Sequence, residues 1–221
     1  MRQLFVGLLA EGTTDIRFLS PILEKVLIQT AYDCKGQIDI ELVELEVDKT
    51  GLSFTEQVLK ASKKGMEDFG MMILCVHTDA DSPRLDSAYE HKIEPAKTAL
   101  AEKDELQYCK ILVGIVPIQE TEAWMLADKA LIKREIGTHM SDQVLGIDRA
   151  PESIHNPKEV IENAIRQARS QLTKRRRKDL SIAELYLPIG QAIELENLEH
   201  LSSFRRFKDE LRTAFEMLNL L

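Results

Sequence analysis

The stretch MMILCVHTDADSP, residues 71–83, decides the fold. Its first six residues are apolar, Gly70 precedes them, and the acids Asp79 and Asp81 follow. An apolar run bounded in this way predicts a strand over residues 71–76, buried on both faces of a parallel sheet. Open α/β sheets bind their ligands beyond the C-terminal ends of the strands, so the strand delivers two carboxylates where a site forms. A turn at Ala80, supplied by Ser82-Pro83, brings both to one place. Unpaired, they repel, and a hard divalent cation neutralises them. The plainer reading leaves two solvated carboxylates in a loop, with Asp79 capping the next helix.

Outward from this strand the pattern repeats. Residues 4–10, LFVGLLA, form a second apolar run that ends in Glu11-Gly12-Thr13-Thr14-Asp15. Gly12 permits a tight strand-to-helix turn, Thr13 or Thr14 can cap the helix, and Asp15 suits its positive end. Ile16, Leu19, Ile22, Leu23, Val26 and Leu27 then recur at helical spacing. Glu11 thus stands at a strand tip as Asp79 does. Adjacent strands lie about 4.8 Å apart, so carboxylates on neighbouring tips can share one ion; alone, Glu11 reads as an ordinary loop residue. His77, two residues before Asp79, is placed to support it.

Residues 38–47 alternate apolar with acidic side chains, as a strand with one wet face or a sheet edge does. Residues 54–69 read as an amphipathic helix. Residues 85–105 read as a long, largely solvent-facing helix broken or bent at Pro95, and residues 108–118 as a fourth strand. The alternation of strand and helix over residues 1–118 predicts a right-handed, doubly wound, mostly parallel four-stranded sheet, within an α/β domain of residues 1–136. Beyond Pro117, Thr121 can cap a helix carrying Ala123, Trp124, Ala127, Leu131 and Ile132 inward. Glu122, with Glu120, either serves the dipole of that first turn or adds an acid to the same sheet edge. The single Trp124 reads as core rather than as a base-stacking platform.

Residues 137–221 form a helical annex, entered through a loop with Gly146 and Pro151. A helix from Pro157 runs into Lys174, Arg175, Arg176, Arg177 and Lys178, either a solvated helix end or a phosphate-tracking run. Phe204, Phe207, Leu211, Phe215 and Leu218 mark a last amphipathic helix. The whole chain has 221 residues, 44% of them hydrophobic and 30% charged, and a net charge of −8. This argues against a wholly basic nucleic-acid coat but leaves room for a local basic groove opposite an acidic site. No apolar stretch approaches the roughly 20 residues of a membrane span, and no signal-peptide pattern opens the chain, so a cytoplasmic protein is expected. Cys34, Cys75 and Cys109 form no CxxC pair, which argues against zinc and disulfides.

Glu11-Gly12 at one strand end, followed by Asp79-Ala80-Asp81 at another, resembles the TOPRIM domain of topoisomerases, primases and OLD-type nucleases. The stretches PIQETEAWMLAD, HNPKEV and SSFRRFKDEL look like those of a TOPRIM-like prokaryotic family linked to phage-defence or mobile-element loci. The resemblance implies Glu11 as general acid/base or metal-facing carboxylate, Asp79 and Asp81 as Mg²⁺ (or Mn²⁺) ligands, and Glu122 as a weaker fourth catalytic position. Pro83 stands where topoisomerases often carry a third acid. The sequence shows no tyrosine-bearing cleavage domain, which argues against a topoisomerase, and no GxxxxGK[ST] loop, so an ATPase would be a partner protein.

The leading expectation is a Mg²⁺- or Mn²⁺-dependent nuclease, the effector half of a two-component system acting on nucleic acid. Kept beside it are a non-catalytic subunit of the same fold that binds nucleic acid or an ATPase, and a nucleotide-sugar transferase using DxD with Mn²⁺. The Glu-Gly tip favours the nuclease over the transferase. Oligomerisation of the chain stays open.

Overall fold

Four strands, β1 (Arg2–Leu9), β2 (Ile38–Glu44), β3 (Ile73–His77) and β4 (Ile111–Ile115), lie parallel in the order β2-β1-β3-β4. They come from a computed structural model, which describes residues 2–170 and 180–221. The expected doubly wound α/β fold is present, with all four strands parallel. Because β2 leaves β1 on one side and β3 returns on the other, the order reverses between β1 and β3. That is the switch point at which open α/β sheets form a crevice.

The pleat sorts the side chains to two faces. Leu4, Val6 and Leu8 of β1, with Ile73 and Cys75 of β3, face α1 (Thr13–Tyr32) and the C-terminal helices. Leu9, Leu74 and Val76 face α2 (Phe54–Phe69) and the segment after β3. Ser53 caps α2 with Glu56 completing the reciprocal pair, and Gly70, in the left-handed conformation, ends it. The alternating stretch at residues 38–47 is the sheet edge β2, ending at Glu44. Strand β3 starts two residues later than the apolar run, because Met71 fills the space over Gly7 and Gly65 instead.

The segment after β3 is built from α3 (Asp86–Ala88), a π-turn (Tyr89–Ile93) and α4 (Glu94–Ala101). The irregularity falls just before Pro95, whose missing N–H leaves the preceding turn free to widen. As expected, much of residues 85–105 faces solvent, while Tyr89, Ile93, Ala96 and Leu100 form a stripe buried against the sheet face of α2. Beyond β4 the single helix anticipated there is two, α5 (Glu122–Met125) and α6 (Lys129–Ile136). Asp128 separates them and accepts the Leu131 N–H at 2.9 Å. The expected loop beyond Gly137 contains α7 (Asp142–Leu145) and a 3₁₀ turn at Pro151–Ser153.

Helices α8 (Pro157–Ser170), α9 (Tyr186–Ala192), α10 (Leu195–Leu198) and α11 (Ser202–Met217) share one core with α1 and the sheet. Gly190 brings α9 against α1 so closely that a Cβ there would stand 2.4 Å from the Phe18 carbonyl oxygen. Lys25 of α1 then donates to the Gln191 and Ile193 carbonyls, each at 2.7 Å, satisfying the open end of α9. Trp124 is wholly buried, edge-on to Phe204 at 5.2 Å, and its Nε1 donates to Ser203 Oγ at 2.7 Å. It is core, as its sequence context indicates.

Candidate functional site

The register that sets Leu9 beside Val76, continued two residues, sets Glu11 beside Thr78. There the Thr78 hydroxyl donates to Glu11 Oε1 at 2.5 Å. The tip of β1 is held from the other side by Lys49, whose ammonium donates to the Ala10 and Glu11 carbonyls at 2.5 and 2.9 Å. Gly12 is itself the cap residue of α1, and its N–H donates to Asp15 Oδ2 at 2.9 Å. Neither Thr13 nor Thr14 takes the cap, because Asp15 reaches back to Gly12 first. From these tips α1 departs to one face of the sheet and the segment after β3 to the other, the arrangement in which open α/β sheets bind their ligands.

Backbone pairing of β3 with β4 runs past the strands. Ala80 donates to the Pro117 carbonyl at 3.0 Å, Asp81 to that of Gln119 at 3.0 Å, and Gln119 back to that of Ser82 at 3.1 Å. Asp81 and Gln119, which face each other here, both adopt positive φ, 50° and 63°. Non-glycine residues adopt that conformation seldom, and its cost is tolerated chiefly where the surroundings enforce it. The chain therefore reverses at Asp81 itself, one residue later than the turn expected at Ala80.

Lys92, in the π-turn, joins the acids. Its ammonium lies 3.6 Å from Glu11 Oε1, 3.9 Å from Asp81 Oδ2 and 2.6 Å from Thr78 Oγ1. Asp79 faces elsewhere: its Oδ1 accepts from the Thr121 N–H at 2.9 Å and from the Thr121 hydroxyl at 3.2 Å, and lies 3.2 Å from His77 Nε2. So Glu11 and Asp81 converge on one cation of the chain, and Asp79 is held beside them by Thr121 and His77. The supporting position of His77 follows from its alternation with Cys75 and Ile73; Lys92 and Thr121 were not legible as site residues.

Glu122 lies at the same end of the sheet but turns inward. It is 5% exposed and accepts a hydrogen bond from the Tyr186 hydroxyl of α9. Its backbone position opens α5, as expected, while Thr121 spends its hydroxyl on Asp79 and His77 rather than on a cap. Lys174, Arg175, Arg176, Arg177 and Lys178 lie outside the described residues.

Charge follows geometry. Partial desolvation raises the Asp81 carboxyl above its ordinary range; Lys92 pulls it down, while Asp79 and Glu11 push it further up. The side chain is 76% exposed, so the site stays open to solvent. Burial lowers the His77 imidazole, but the hydrogen bond and charge of Asp79, with the charges of Asp15 and Glu11, outweigh burial and leave it raised. Its Nδ1 is buried with no hydrogen-bond partner among the described residues. Burial also pushes Glu122 up, against the hydrogen bond from Tyr186, whose own hydroxyl is raised.

Among the described residues, no three His, Cys, Asp or Glu side chains are grouped as a ready cage for a metal ion. Mg²⁺, however, is commonly held by one or two carboxylates together with waters and substrate phosphate. The Lys92 ammonium, paired with Glu11 and Asp81, is a cation already standing where such an ion would be shared, so this donor pair fits one. Beside it opens a cleft of about 320 Å³ lined by Glu11, Lys49, Phe54, Gln57 and Lys92.

A model of the family described as Domain of unknown function (DUF4276) matches residues 10–212. The chain belongs to that family, and the matched span contains Glu11, Asp79, Asp81 and Glu122. No curated protein and no solved structure matches the chain. No helix among the described residues is long and apolar enough to cross a membrane.

Proposed function

We propose that the chain is a Mg²⁺- or Mn²⁺-dependent phosphodiesterase acting on nucleic acid. The observation that carries this reading is the convergence of Glu11 and Asp81 on one cation at the β1/β3 switch point. Glu11 and Asp81 would hold the ion, with Asp79 beside them. A bound divalent ion neutralises the non-bridging oxygens of a phosphodiester and lowers the pKa of water. The chain's own part is placement of protons and phosphate. Glu11 keeps Oε1 on the Thr78 hydroxyl, and its Oε2 has no hydrogen bond from the described residues, so that oxygen is available to take a proton from the attacking water. The P–O bond to the leaving oxygen then breaks, and the departing oxygen takes its proton from solvent. Lys49 and Lys92 give the adjoining cleft a positive wall against the acidic crevice. The match of Glu11-Gly12 and Asp79-Ala80-Asp81 to the TOPRIM pattern supports the same chemistry.

One observation favours a second reading, a non-catalytic subunit that binds nucleic acid or an ATPase. Lys92 already pairs with both acids, as it would in a site kept only for its fold. Incubating the protein with labelled single- and double-stranded DNA and RNA, with Mg²⁺, Mn²⁺ or a chelator, separates the two. Cleavage that the chelator abolishes supports the enzyme, and intact substrates throughout support the subunit.

A further inference from the structure

We infer that Lys92 is a resident counter-ion that gives way to the divalent cation, so that ion binding and substrate-phosphate binding are coupled through one ammonium. The inference rests on the metal-dependent reading above and adds to it a positioning residue.

The ammonium is placed, not incidental. It donates to Thr78 Oγ1 at 2.6 Å, and the same hydroxyl donates to Glu11 Oε1 at 2.5 Å, so Thr78 ties lysine and glutamate into one chain of hydrogen bonds. Asp81 Oδ2 closes the arrangement at 3.9 Å. The lysine reaches this point from the π-turn, which adds a residue to the helix between the buried anchors Tyr89 and Ile93. The side chain is 32% exposed, enough to move without unfolding its element.

A divalent ion shared by Glu11 and Asp81 would stand within a few ångströms of this ammonium. Like charges at such distances repel by an amount that lowers affinity about tenfold or more. The ammonium therefore has to leave, and the cleft of about 320 Å³ that Lys92 itself lines is where it has room. A phosphate in that cleft would accept it. Ion and phosphate then assist each other, and by linkage the factor is the same in both directions. Without substrate, the acids stay paired with Lys92 and the ion binds weakly.

The test follows free Mn²⁺ by electron paramagnetic resonance during titration of the full chain. It uses the parent, K92M and K92R, with and without a short single-stranded phosphorothioate oligonucleotide that resists cleavage. K92M is expected to bind Mn²⁺ about tenfold more tightly than the parent, and K92R like the parent. The oligonucleotide should tighten Mn²⁺ binding to the parent by a larger factor than it does to K92M, whose gain is limited to direct contact of phosphate with the ion. Equal or weaker binding by K92M, with the parent binding Mn²⁺ through Glu11 as shown by loss in E11Q, overturns the coupling and leaves the metal site intact. Absence of Mn²⁺ binding in both parent and K92M overturns the metal reading and the coupling with it. Circular dichroism checks each fold, and K92Q replaces K92M if the methionine variant does not fold.

Discussion

Thr121 holds Asp79 twice, through its N–H at 2.9 Å and its hydroxyl at 3.2 Å, both on Oδ1. The same hydroxyl lies 2.9 Å from His77 Nε2, so one residue from the loop after β4 positions two residues at the end of β3. Replacing Thr121 by Val keeps the shape and the N–H contact but strips the hydroxyl from a wholly buried position. A buried polar group that loses its partner costs about 1–3 kcal/mol. Urea unfolding should show a loss of that order, with cleavage falling further than stability alone explains; an unchanged midpoint would remove Thr121 from the support of the site.

Gly190 should be nearly irreplaceable for a reason unconnected with turns. Its neighbour is the α1 backbone at Phe18, which has no flexible end to swing aside. Gly190→Ala is therefore expected to destabilise by about 1–3 kcal/mol, as overpacking of a core does. Thermal unfolding of the variant measures it, and a neutral result would mean that α9 and α1 are more loosely seated.

Much of this was legible because burial leaves strong marks. The apolar runs at residues 4–10 and 71–76 locate β1 and β3, and with them Glu11, Asp79 and Asp81 at adjacent tips. What the pattern hides is what depends on exact chain direction. Lys92 sits in a charged helical stretch whose periodicity looks solvated, and only the π-turn aims it at Glu11. Positive φ at Asp81 and Gln119 has no glycine to announce it. Glu122 had two readings, and it is the distant Tyr186, 64 positions on, that draws it inward.

Stability should depend on pH through Glu152. Burial pushes its carboxyl up, but hydrogen bonds from the side chains and N–H groups of Ser202 and Ser203 outweigh burial and hold it below its ordinary range. A depressed folded value means the contribution is complete above the unfolded value and is lost as pH falls through the folded one. The advantage of the parent over Glu152→Gln should thus be constant near about pH 7 and shrink near about pH 3. Urea titrations at both values test this, and an advantage that grows in acid would contradict it.

The basic run at residues 174–178 carries a separate expectation from the sequence. If Arg175, Arg176 and Arg177 meet phosphates, replacing all three by Ala should flatten the dependence of log affinity on log salt by about 0.7–0.9 per lost contact. Fluorescence anisotropy across a salt series reads that slope, and an unchanged slope makes the run a solvated segment.

The most direct measurement is the cleavage rate of Glu11→Gln against the parent, in Mg²⁺ or Mn²⁺, with melting curves taken on the same samples. The substitution removes the charge shared with Lys92 and the oxygen proposed to take the proton, while nearly preserving shape. Loss of a general base typically lowers the rate about 10²- to 10⁴-fold, so a folded variant with native-like melting and cleavage reduced by at least about a hundredfold is the expected result. A folded Glu11→Gln protein that cleaves as fast as the parent would contradict it and place the chemistry elsewhere.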